Sequence, residues 1–228
     1  MHLFEGVRGR EAAISIGIGI LFMLIALVIQ EIIQEIPDII LLYEHHFNVS
    51  FLINNLGSIE IKNALLYSLY VGLVAGFIQE GFTYIAVDTR PRKMAFFIGI
   101  GFSIIDIAVI FIGTAGHIYG YMIFLIILNI ISSLLFHPGT ATFMKWGRIF
   151  GFGRITYLIS SILHAALDGG VVYVDIYVIT HINRYIVSIE IYWSIVMAIS
   201  VAIFMIGLFK LNSANDSDEI KKEKPVVY

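Results

Sequence analysis

Residues 64–87 read ALLYSLYVGLVAGFIQEGFTYIAV, an apolar run in which Glu80 is the single charged side chain and Gln79 is its neighbour. At 1.5 Å of rise per helical residue, such a run crosses the roughly 30 Å hydrocarbon core of a bilayer. A charged group at the centre of a span costs about 2.5–3.5 kcal/mol on insertion scales, so a carboxylate retained there calls for a reason. The run is therefore read as a membrane helix with a functional or structural polar centre.

Outward from it, five further apolar stretches have comparable length: 12–30, 94–115, 118–136, 155–180 and 191–209. The whole chain agrees with them. Of its 228 residues 59% are hydrophobic and only 14% charged, and the mean hydropathy is +0.90. A water-soluble domain of this length cannot hide that much apolar surface, whereas a bundle in lipid need not hide it. The expected fold is all-α, a polytopic membrane helix bundle of about six transmembrane helices over 1–211, followed by a disordered cytoplasmic tail over 212–228. The first stretch follows Arg8, Arg10 and Glu11 and is not followed by a small-residue cleavage site, so it reads as a true span rather than a signal peptide. The fourth is expected to stop at His137, before Pro138. Gly169 and Gly170 interrupt the fifth and leave its outer boundary open.

Composition excludes several chemistries. With no cysteine there is no disulfide framework, no thiolate zinc site and no cysteine nucleophile, so any metal must be held by His and carboxylates. A net charge of −3 offers no basic face to nucleic acid. Charge placement also orients the chain. Arg8 and Arg10, then Arg90, Arg92 and Lys93, then Lys145, Arg148 and Arg154, then Lys210, Lys221, Lys222 and Lys224 fall on one side of the six spans; only Lys62 and Arg184 fall on the other. Positive charge is retained on the cytoplasmic side, so both termini are expected in the cytoplasm and loop 31–63, with its Asn48-Val49-Ser50 sequon, outside.

Polar residues inside the spans are few and cluster in spans two to five: Gln79 and Glu80, then Asp106, then His137, then His164 and Asp168. Counting from the cytoplasmic ends puts Glu80 roughly 12 Å deep, His164 roughly 15 Å, Asp106 roughly 18 Å and Asp168 roughly 21 Å. His137, at the expected end of span four, fits that depth least well. His164 and Asp168 are four apart and so share one helix face. Two histidines with one or two carboxylates make an adequate zinc ligand set, able to lower the pKa of a bound water to about 7. Metal-assisted hydrolysis inside the membrane, a polar network that only holds the bundle together, and a proton or ion path all remain open from the residues alone.

Four segments in order carry a family resemblance. Gln79-Glu80-Gly81-Phe82-Thr83-Tyr84, Gly99-Ile100-Gly101-Phe102-Ser103-Ile104-Ile105-Asp106, the lone His137, and His164-Ala165-Ala166-Leu167-Asp168 together resemble the YhfC and PrsW branches of the CPBP-like intramembrane metalloproteases, a superfamily to which the scaffold subunit of gamma-secretase is also similar. The resemblance spans about 64–170 and implies a CPBP-like core from spans two to five. It implies cleavage of membrane-embedded or membrane-tethered polypeptides, with zinc on His137 and His164 assisted by Asp106 or Asp168. Glu80 would act as general base, Gln79 would hydrogen-bond the scissile carbonyl, and a cavity open to the cytoplasm would supply water. Gln79 stands where the family has the first of two glutamates, Thr83 where it has a basic residue, and Phe102 where the YhfC branch has a histidine. Gln79 cannot accept a proton, and Glu80 would face the same direction only after a helix rotation of about 100°. These departures favour the alternative, a catalytically silent relative acting as a membrane scaffold or partner-binding protein.

The remaining candidates have plainer uses. His45, His46, His117 and His181 sit in outer loops or at span ends, where surface roles are the default. Trp146, Tyr121, Tyr157, Tyr185, Tyr192 and Trp193 fall near span ends, as interfacial anchors do. Lys145, Arg148 and Arg154, among Gly147, Gly151 and Gly153, suit contact with anionic lipid rather than a nucleotide.

Overall fold

The computed structural model describes residues 4–114, 120–181, 185–214 and 218. Eight α-helices account for nearly all of them: α1 (Gly9–Gln34), α2 (Ile36–Glu44), α3 (Val49–Lys62), α4 (Ala64–Asp88), α5 (Ala95–Thr114), α6 (Tyr121–Ile149), α7 (Gly153–Thr180) and α8 (Tyr185–Ser213), with no strand among the described residues. Six segments are long and apolar enough to cross a membrane: Gly9–Glu44, Ala64–Asp88, Arg92–Thr114, Ile123–Ile149, Gly153–Tyr177 and Val187–Ser213. The chain is a multi-pass membrane bundle.

The distribution of side chains says the same thing independently. Large apolar groups face outward: Ile112 is 76% exposed, Phe209 74% and Leu66 69%. Beside apolar clusters around Phe102 and Trp193, the interior holds many small polar groups, among them Ser15, Ser68, Ser103, Thr83, Thr140, Thr142, Ser160, Ser161 and Ser200. Water would not tolerate so many large apolar groups on the outside. Lipid permits them, because no hydrophobic force draws apolar side chains inward and helices associate through close packing and polar contacts.

Close packing is built on glycine. A Cβ on Gly72 would lie 2.3 Å from the Ala165 carbonyl oxygen, and one on Gly76 would lie 2.5 Å from both Ala165 N and Ser161 O, so α4 and α7 touch backbone to backbone. Likewise α5 meets α6 where Gly99 abuts Pro138, with a hypothetical Cβ 2.4 Å from the proline Cα. α1 packs on α5 and α4, and α8 on α6 and α7.

Several boundaries differ from expectation. Pro138 does not end the fourth span; it sits inside α6, which continues to Ile149. A proline forfeits one backbone hydrogen bond, a loss tolerated in membrane helices where neighbours satisfy the freed carbonyl. His137 is therefore twelve residues from the end of its helix, roughly 18 Å deep, and matches the depth of the other polar groups. The outer boundary of the fifth span, left open at Gly169 and Gly170, falls at the expected Thr180, because α7 runs through both glycines without a break. Loop 31–63 contains α2 and α3, and Asn48 of the sequon caps α3 by accepting a hydrogen bond from Phe51 N at 3.0 Å. The first residues of the expected tail are ordered: α8 runs to Ser213, and Ala214 is buried. Residues 215–217 and 219–228, Ala115, His117 and Ile118, and the side chains of Tyr121 and Tyr185 lie outside the described residues.

Candidate metal centre

Glu80 on α4 follows Gly76 by one turn, and His164 on α7 precedes Ala165, the residue that Gly76 touches. The glycine contact thus sets the carboxylate against the imidazole, with His164 Nδ1 2.8 Å from Glu80 Oε1. From the other face of the ring, Nε2 lies 3.4 Å from Asp168 Oδ2, the i,i+4 neighbour expected from the spacing. On α6, His137 Nε2 lies 3.6 Å from Asp106 Oδ2 of α5, a helix brought close by the Gly99 contact and by Ser103 Oγ donating to Ser133 O at 2.8 Å. At 3.4 and 3.6 Å these aspartate contacts are electrostatic rather than full hydrogen bonds. The two imidazole rings are 5.4 Å apart, centre to centre.

Glu80, His137 and His164 are buried, at 0%, 2% and 5% exposure, and each offers one ligand atom such that all three lie within 4.8 Å of one another. They could hold a metal ion. Tetrahedral zinc with ligands at 2.0–2.1 Å separates its donors by about 3.3 Å, so closure requires movements of roughly an ångström. Two observations support the fit. His137 Nδ1 and Glu80 Oε2 are buried without a hydrogen-bond partner among the described residues, a costly condition that a cation would relieve. Both Nε2 atoms are also backed by aspartates, the usual way of orienting a metal-bound imidazole through its second nitrogen.

Five of the six expected site residues therefore converge. Gln79 does not. Its side-chain amide donates to Gln30 Oε1 at 2.8 Å, Gln30 in turn to Gln34 at 3.3 Å, and Gln34 to the Val71 carbonyl at 3.0 Å, a glutamine chain fastening α4 to α1. Glu80 reaches the two histidines without any helix rotation, and Gln79 is directed away from them. Thr83, in the place of the basic residue, donates to the Gln79 carbonyl, and the buried Phe102 ring lies 6.0 Å from that of His137.

A cavity of about 210 Å³ adjoins the two histidines. Its walls include Asp106 and Asp168, whose side chains are 30% and 36% exposed, together with Asn129, Tyr192, Trp193 and Ser200. Asn129, Tyr192 and Trp193 lie further along their helices from the basic loops than the histidines do, so the cavity extends away from the end where a cytoplasmic opening was expected. Toward the basic end Thr83, Ala141, Met144 and Thr156 are buried and close the bundle. Tyr192 and Trp193 are not interfacial anchors: Trp193 is buried, and Tyr192 donates to the Leu167 carbonyl at 2.7 Å. Span six thus contributes wall, and span one the glutamine chain, although the polar residues were expected only in spans two to five. Sequence reasoning missed Thr140, which donates to Glu80 Oε1 at 3.4 Å, and Ser200, because serine and threonine are common in membrane helices and give no positional signal.

The basic residues are largely engaged by protein. Lys145 is buried and donates to the Arg90 carbonyl at 2.7 Å, Arg148 pairs with Asp88 and donates to Tyr84 Oη at 2.7 Å, and Arg92 caps α8 through Leu211 O at 3.1 Å and Ala214 O. Among the outer histidines, His45 stacks on Phe51 and His181 on Tyr177, both remote from the site. No protein-family model, curated protein or solved structure matches this chain.

Proposed function

We propose that this protein is an intramembrane metallohydrolase of the CPBP-like type that cleaves a peptide bond in a membrane-embedded or membrane-tethered polypeptide. The carrying observation is the buried convergence of Glu80, His137 and His164, three donors from three helices, two of them with orphaned atoms. Zinc suits a set of two imidazoles and one carboxylate. When bound it would supply a Lewis acid for the carbonyl and a more acidic water. Glu80 is assigned here as the third donor rather than the base, since one of its oxygens lies against His164 and the other has no partner. Asp106 and Asp168 hold the imidazoles in orientation. Both are open to the cavity, which is where a proton released from water must be taken up. Tight packing toward the basic end keeps bulk water from the reacting bond on that side. The charge asymmetry of the loops supports a cytoplasmic location for both termini.

A scaffold reading is favoured by one observation, the diversion of Gln79 into a purely structural chain. Metal content of the purified protein separates the two. Stoichiometric zinc in the wild type, lost in His137→Ala and His164→Ala, supports the hydrolase; no metal in any of them, with lower thermal stability in the variants, supports the scaffold.

A further inference from the structure

The polar group is the inner end of a longer path. A second cavity of about 240 Å³ shares Asn129, Tyr192 and Trp193 with the first and continues to Thr114 and Asp175. Asp175 lies seven residues beyond Asp168, two turns further along the same face of α7 and roughly 33 Å from the start of that helix at Gly153. The path therefore reaches the end of the bundle opposite the basic loops.

Apart from the imidazoles of His137 and His164, its wall has one kind of charge. Asp106, Asp168 and Asp175 line it, and no Lys or Arg does so among the described residues. Counting Glu80 as well, the four carboxylates exceed the charge of a single dication by two. Phe136, Tyr192 and Trp193 add aromatic surface, which attracts cations through the negative ring faces. Independently of the acids, the Ser200 hydroxyl lines the cavity, is fully buried, and has no partner among the described residues. A buried hydroxyl in that condition awaits a polar ligand.

We propose that this path admits and binds a positively charged substrate group, an alkylammonium or guanidinium, which enters from the end of the bundle opposite the basic loops and docks between the aspartates and the aromatic wall. That the group belongs to a Lys or Arg side chain of a polypeptide substrate rests on the metallohydrolase reading. The acid-lined route and its direction do not.

The chain contains no cysteine, so single cysteines report alone. In sealed vesicles of one orientation, Asn129→Cys and Ser200→Cys would be reacted with membrane-impermeant methanethiosulfonates carrying either trimethylammonium or sulfonate. Asn54→Cys, exposed on α3, marks one face of the vesicle and Arg154→Cys, exposed at the start of α7, marks the other. The expected result is reaction from the Asn54→Cys face, with the cationic reagent favoured about tenfold or more after normalisation to Asn54→Cys. Asp175→Asn should reduce that preference several-fold. Reaction only from the Arg154→Cys face, equal normalised rates, or no reaction at either cavity site while Asn54→Cys reacts would each overturn the proposal. Metal analysis of the same preparations separates the two readings. Bound metal alongside any of those three results overturns the path alone, whereas charge-selective labelling of a metal-free protein upholds the path and overturns the hydrolase.

Discussion

Gly76→Ala adds one methyl group and should disable the site from a distance. The new Cβ would lie 2.5 Å from Ala165 N and Ser161 O and 2.9 Å from Ala165 Cβ, where ordinary contact needs about 3.5 Å. Two of the three obstacles are backbone, so α4 and α7 must separate by about 1 Å. Glu80, one turn along, moves with α4, and its 2.8 Å contact with His164 stretches beyond hydrogen-bonding distance. Overpacking of this kind costs about 1–3 kcal/mol, and loss of a hydrogen bond to a charged group about 1.5–3 kcal/mol. The combined effect should appear as a lower thermal midpoint in detergent and, from the displaced donor alone, a zinc affinity reduced about ten- to a hundredfold. Gly57→Ala is the control. It lies in α3, where a Cβ would meet nothing within 4 Å, so helix propensity should leave stability unchanged or raise it by up to about 1 kcal/mol. Wild-type stability and zinc affinity in Gly76→Ala would refute the claim that glycine contact sets the donor geometry.

Asp168→Asn should retain metal but bind it about ten- to a hundredfold more weakly, as loss of an orienting partner does, whereas Glu80→Gln should lose it almost wholly; equilibrium dialysis against zinc distinguishes the two. Gln79→Leu should lower thermal stability by about 1–3 kcal/mol by orphaning Gln30, yet leave zinc stoichiometry unchanged, and Gln79→Glu should not enhance proteolysis of a membrane-tethered reporter because the position faces α1. Arg92→Ala should destabilise by about 1–3 kcal/mol through the uncapped end of α8, while Arg148→Ala, whose aspartate partner is nearly half exposed, should cost about 1 kcal/mol or less in denaturant titrations.

Much of the site was visible as depth. Glu80, Asp106, His164 and Asp168 could be placed within the same slice of the bilayer by counting residues, because helical rise is constant and a membrane span has a defined start. His137 could not, because a proline ordinarily ends a helix in water, and only its neighbours in the bundle show that α6 continues through Pro138. The parts played by spans one and six were not legible for a related reason. Gln30, Ser200, Tyr192 and Trp193 acquire roles only through the helix that each faces, and rotation about a helix axis leaves little trace in a chain that is apolar on every side.

Composition alone, then, determined that this chain lives in lipid, since apolar content beyond what a globule can bury has one stable solvent, and hydropathy with charge asymmetry determined six spans. Tertiary packing decided which face of each helix turns inward. It set Glu80 rather than Gln79 beside the histidines, because Gly72 and Gly76 let α4 meet α7 along one stripe only, and the direction of a side chain around its helix is a property of that contact rather than of the residue.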